Sequence, residues 1–158
     1  MPIQFLETIP SYAQGRRANM EEWNTVSRTL ATGSANVGFG VPIQVGTAYH
    51  TVTPLTAAAQ PVQGITEASL VLPHTGDAYQ ALDTVGVCES GVIGVLLGAN
   101  VTKNAQARFD VTNQNWTGAT ASATVLTIPG ATFDEAGTSG AVGIVRYRRP
   151  NPSVSASS

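Results

Sequence analysis

Side chains able to do acid–base, metal or thiol chemistry are scarce in this sequence, and none forms a cluster at a productive spacing. His50 and His74 are the two histidines and Cys88 the one cysteine of the 158 residues. His74-Thr-Gly-Asp77 sets a potential base beside an orienting acid, the pairing that general-base chemistry needs. A turn built on Gly76 and Asp77 accounts for the same residues without chemistry and is the stronger reading. A zinc site needs at least three ligands, and His50, His74 and Cys88 supply them only if distant segments converge. Asp134-Glu135, after Phe133, reads as a turn and not as a metal pair. Cys88 lies in an apolar stretch, has no partner for an intrachain disulfide, and reads as a buried packing thiol. The glycine-rich run over residues 87–98 fits neither a dinucleotide fingerprint nor a phosphate loop, because no helix-forming segment follows it. Its glycines instead allow tight turns and close strand crossings. No catalytic residue, cofactor-binding residue or metal ligand set is expected, and no enzyme.

Recognition chemistry is better represented. Tyr12, Arg16, Arg17, Trp23 and Arg28 combine aromatic area with guanidinium forks in the first part of the chain, the residue types favoured at anchored interfaces. Phe39 stands between Gly38 and Gly40, and Trp116 sits in the polar stretch 112–118, where an indole is unusual. Trp116 is open to three readings: packing over its own loop, an interface anchor, or a platform for carbohydrate. A second basic group, Arg146, Arg148 and Arg149, is either a solvated strand edge or a set of pairing points for acidic partners. Nucleic acid is not an expected partner, since the net charge is −2 and Lys103 is the only lysine. Nor is a membrane: the longest apolar run, residues 92–99, is interrupted by Gly94 and Gly98 and is too short to span one. Nothing near the first residues reads as a secretory signal.

The elements that would position these residues are mostly strands. Apolar residues make up 42% and charged residues 11% of the chain, with 16 glycines and 9 prolines, a composition of small neutral side chains and frequent turns. So little charge leaves a surface that assembly would help to cover. Strands are predicted at 43–45, 49–53, 65–72, 79–88, 92–97, 106–111, 123–128 and 141–147. Turn signals fall at Thr75-Gly-Asp77, Glu89-Ser-Gly91, Lys103-Asn104 and Pro129-Gly130. Alternation is clearest at Ala107-Arg-Phe-Asp-Val111, which places Ala107, Phe109 and Val111 on one face. Residues 1–36 read as an N-terminal arm, extended or with a short helix capped by Asn19 and carrying Met20, Trp23, Val26 and Leu30 on one face. Residues 37–149 form the β-domain, and 150–158 a Pro- and Ser-rich tail. The expected fold is all-β, a small barrel or sandwich with that extended arm.

A collinear series of segments carries a family resemblance. It runs from Pro10-Ser-Tyr-Ala-Gln-Gly15 through Val26-Ser-Arg28, Gly38-Phe-Gly-Val-Pro-Ile43, Gly64-Ile65 and Gly76-Asp-Ala-Tyr79. It continues through residues 85–98 and 101–111, Ile128-Pro-Gly-Ala131 with Phe133, and Gly140-Ala-Val-Gly-Ile-Val145. In this order the chain resembles the capsid cement, or decoration, proteins of tailed bacteriophages. It departs from their pattern at Val101-Thr-Lys-Asn-Ala105, where a glycine–acid turn is more typical, and in its tail. The resemblance implies no catalysis and no cofactor. It implies a protein made in the host bacterial cytoplasm that joins the outer surface of the virion, binds the major capsid protein, and ties neighbouring subunits together, commonly as a homotrimer. The alternative is a virion fibre or baseplate-associated β-module that binds a host glycan through Trp116. A third reading is a small β-fold hydrolase dependent on His74.

Overall fold

Alternating β-branched and small residues give strands throughout the computed structural model, which describes residues 13–19, 21–56, 61–69, 71–72 and 76–150. In chain order these are β1 (Asn24–Leu30), β2 (Val37–Gly38), β3 (Pro42–Val45), β4 (Thr51–Pro54), β5 (Val62–Thr66) and β6 (Ala78–Tyr79). The long β7 (Thr84–Leu96) follows, then β8 (Gln106–Asp110), β9 (Asn115–Thr117), β10 (Val125–Phe133) and β11 (Val142–Arg148). The all-β expectation holds.

Nine strands share one sheet in the order β1-β4-β3-β5-β7-β11-β10-β8-β9, and β1 also pairs with β7. That extra pairing closes β1, β4, β3, β5 and β7 into a five-stranded barrel. The first half of β7 serves this ring, with Thr25 and Ile65 both in register with Cys88, one on each edge. The second half, from Ser90 to Leu96, pairs with β11 instead. The sheet then runs through β10, β8 and β9 and returns to the end of β7. There Leu97 bridges Trp116, and the Gly98 amide donates to the Trp116 carbonyl at 2.8 Å. One strand is thus common to two rings, and closure leaves little open edge. β2 and β6 form a separate small ladder.

A continuous core follows from this arrangement. Leu30, Ile43, Val52, Ile65, Val85 and Val87 fill the first ring, and Phe109, Trp116, Ile128, Phe133 and Val145 are buried on the strands of the second. Ala107 and Phe109 are buried while Arg108 and Asp110 are only partly covered, as their alternation predicts.

Three local expectations are corrected. The helix proposed from Asn19 is not formed: residues 24–30 are β1, hydrogen-bonded to β7 on one edge and to β4 on the other. Thr25, Val26 and Thr29 are β-branched and suit a pleated strand better than a helix. Glu89-Ser-Gly91 is no turn but the middle of β7, where Gly91 takes φ +152° and the strand passes from one ring to the other. Pro129-Gly130 likewise lies inside β10, where Gly130 at φ +80° accompanies a register shift between Thr127 and Thr132.

Candidate interaction surface

Residues 13–18 run along the edge of β7 that β11 leaves open. The Gly15 amide donates to the Gly94 carbonyl at 2.8 Å, the Gly94 amide to the Arg16 carbonyl at 2.9 Å, and the Ala18 amide to the Val92 carbonyl at 2.8 Å. A further bond, from the Ala68 amide to the Gly15 carbonyl at 2.9 Å, fixes the other side of the segment. Two glycines make this approach possible. A Cβ at Gly94 would stand 2.5 Å from the Ala13 oxygen, and one at Gly15, whose φ is +71°, 2.6 Å from the Ala68 nitrogen.

The segment presents Arg16 and Arg17 to solvent. Arg17 lies over the Trp23 ring, 5.2 Å from its centroid, and donates to the Glu21 carbonyl at 2.9 Å. The Trp23 ring in turn covers Gly91 so closely that any Cβ there would overlap ring carbons. Its Nε1–H reaches Glu67 Oε1 at 2.9 Å and Thr25 Oγ1 at 2.6 Å. Burial pushes the Glu67 carboxyl pKa up, against the hydrogen bonds from Thr25 and Trp23 and the charge of Arg17. Tyr79 Oη donates to the Glu67 carbonyl at 2.6 Å, and its ring meets Phe39 edge-on at 5.4 Å.

Arg17 and Trp23 are therefore gathered over Gly91 at the crossing point of β7, while Arg16, next to Arg17 in the chain, lines a groove with Phe39. Arg28 is not part of this group: it lies further along β1, where its guanidinium donates to the Ser27 carbonyl at 2.9 Å. Phe39 is half-buried and forms one wall of that groove, described below. Tyr12 lies outside the described residues. Trp116 corrects the sequence reading most sharply. It belongs to β9, is 0% exposed, packs edge-on against Phe109, and donates from Nε1 to the Gly40 carbonyl at 2.7 Å. An indole so enclosed joins the two rings and has no face for a partner or a sugar.

The second arginine group is largely occupied within the chain. Arg146 pairs with Glu21 and, at 2.9 Å, with Asp134, while Arg149 meets Glu89 at 2.9 Å. The Arg146 hydrogen bond holds the Glu21 carboxyl below its ordinary pKa. Arg148 remains exposed. Glu21, Glu67 and Glu89, which tie the start of the chain and the strand crossing to the sheet, carry no local signal that sets them apart from solvated acids.

The chemical candidates do not assemble. Among the described residues no group of three or more His, Cys, Asp and Glu side chains is placed to hold a metal ion. Cys88 is buried, and desolvation pushes its thiol pKa up to about 12. His50 is exposed against Tyr49, and His74 lies outside the described residues.

Two closed rings, a strand held in common and a segment pinned to its open edge define a binding module whose product is shape. The chain belongs to the phage structural cement protein family, described by E217 gp24 and Pam3 gp6, whose profile it matches over residues 1–148. A chain from the capsid of Myoviridae phage XM1 has the same fold, with a TM-score of 0.73 at 14% identity over 92% of this chain and 96% of that one. No curated protein matches the sequence. Family membership makes this a structural, capsid-associated protein and not an enzyme.

Proposed function

We propose that the protein binds the outer surface of the head as a homotrimer and cements neighbouring copies of the major capsid protein, with its N-terminal segment as a clasp. The observation that carries this reading is the pinned base at residues 13–18. Backbone bonds to residues 92–94 hold it to the middle of the fold, and Arg16 and Arg17 stay exposed beside it. The residues ahead of Ala13 therefore start from a rigid point, and twelve of them reach roughly 40 Å when extended. Ordering them on a neighbour costs entropy, which contact area and lattice repetition offset. A charged fraction of 11% leaves a surface suited to being covered. Neither DNA nor lipid enters the reading, in keeping with a net charge of −2. The glycan-binding alternative rested on Trp116 and loses that support with the indole enclosed.

Heads lacking the protein, mixed with purified chain, provide the test. Binding is expected to saturate at many copies per head, in three-fold clusters by particle reconstruction, and to raise the temperature at which DNA escapes. The double change Arg16→Ala, Arg17→Ala weakens attachment more at low salt than at high salt, where screening already mutes those charges. One copy per particle, or no binding, overturns the proposal.

A further inference from the structure

A groove of about 840 Å³ opens beside the pinned segment. Its walls are apolar at Phe39, Val41, Leu55 and Val111, and its rim carries Arg16 and Asp77. Arg16 is exposed and makes no ion pair among the described residues. Ala13 and Gln14, the first described residues, are themselves part of the wall. The chain ahead of them reads Met-Pro-Ile-Gln-Phe-Leu-Glu-Thr-Ile-Pro-Ser-Tyr, with Ile3, Phe5, Leu6 and Ile9 as apolar anchors and Glu7 as the only charged side chain.

We propose that in the unbound protein this groove is the binding site for residues 1–12 of the same chain. Three arguments converge. The segment begins in the wall of the groove, so tethering removes the association cost a free peptide would meet. Its apolar residues match the walls, and covering Phe39 and Val111 takes further apolar surface from water. Glu7 is complementary to Arg16, whereas Asp77 on the same rim repels an acid, so the two charges select one register. Pro2 and Pro10 narrow the conformations open to the free segment, and Pro10 disposes Ile9 to an extended form, which lessens the entropy lost on docking. The inference concerns the free protein and is independent of the capsid reading. If both hold, the lattice must displace the segment from its own groove before the clasp can form.

The experiment uses the full chain with a spin label at Gln4→Cys, Cys88 being buried and unreactive. Amide signals of Phe39, Leu55 and Gln114 are expected to be lost to paramagnetic broadening, and equally so on dilution. Adding Arg16→Glu recovers the signals, and Glu7→Arg in the same chain removes them again. A second sample combines labelled, isotopically silent chains with unlabelled, isotopically visible ones, unfolded and refolded together, and is expected to show no loss. Groove signals untouched by the label overturn the proposal. Loss in the mixed sample also overturns it, by assigning the segment to the groove of a second copy.

Discussion

Replacing Trp116 with alanine removes the largest buried side chain and leaves the Gly40 carbonyl without its donor. Stability is expected to fall by about 3–5 kcal/mol for the lost ring. Trp116→Phe keeps most of the packing and forfeits mainly the hydrogen bond, at about 1–3 kcal/mol. Urea unfolding separates the two, and a phenylalanine variant as stable as the natural protein contradicts the part given to Nε1. Glu67 offers a second test at this scale. Burial raises its pKa in the fold, so the folded protein holds that proton more tightly than the unfolded chain. Its contribution is full below the ordinary glutamate pKa and is lost as pH rises through the raised one. Glu67→Gln retains an acceptor for Trp23 and Thr25 but cannot ionise. The variant's urea midpoint should therefore gain on that of the natural protein as pH rises through this window, whereas parallel profiles would remove Glu67 as the cause. Cys88 was legible because it falls in a strand-forming stretch rich in valine and glycine and has no second cysteine to pair with. Trp116 was not, because Asn113, Gln114 and Asn115 imitate a loop while the group that receives its N–H lies 76 positions away.

At the scale of elements, β1 decides how much of the N-terminal region is separable. It falls inside the span read as an arm, yet it completes the first ring by pairing with both β4 and β7. Removing residues 1–36 should therefore open the barrel and abolish near-ultraviolet circular dichroism, while removing residues 1–12 should preserve it. A cooperative melt from the longer deletion would mean that β4 and β7 can close without β1. The strands were legible where alternation is regular, as at Ala107 and Phe109. The bends in β7 and β10 were not, because Gly91 and Gly130 carry the same local signature whether a chain reverses or merely kinks between partners. Only the pairing on either side distinguishes the two, and pairing is a property of residues far apart in sequence. The gathering of Arg17 and Trp23 over Gly91 was hidden for the same reason.

The whole molecule is organised around β7, which has neighbours on both edges for most of its length. Amide exchange should accordingly be slowest there, at Val87, Ile93 and Val95, and faster in β9, whose backbone pairs only with β8 and through a single bridge. Exchange from β7 as fast as that from β9 would show that the two rings open together as one unit. Family membership was legible as an ordered series of short segments, each weak alone, because the order of strands constrains a closed sheet more than any one of them does. The attachment of residues 13–18 to residues 92–94 has a mechanical meaning as well. Tension applied to the N-terminal segment along the strand direction meets its backbone bonds side by side, so they are strained in shear together and do not peel in turn. Beyond them the force enters the strand that both rings share, and neither ring has to yield before the other takes up strain. Drawn out by optical tweezers from residue 1, the segment should hold and then let go in one abrupt step, whereas release spread over a range of low forces would show that its bonds peel in turn.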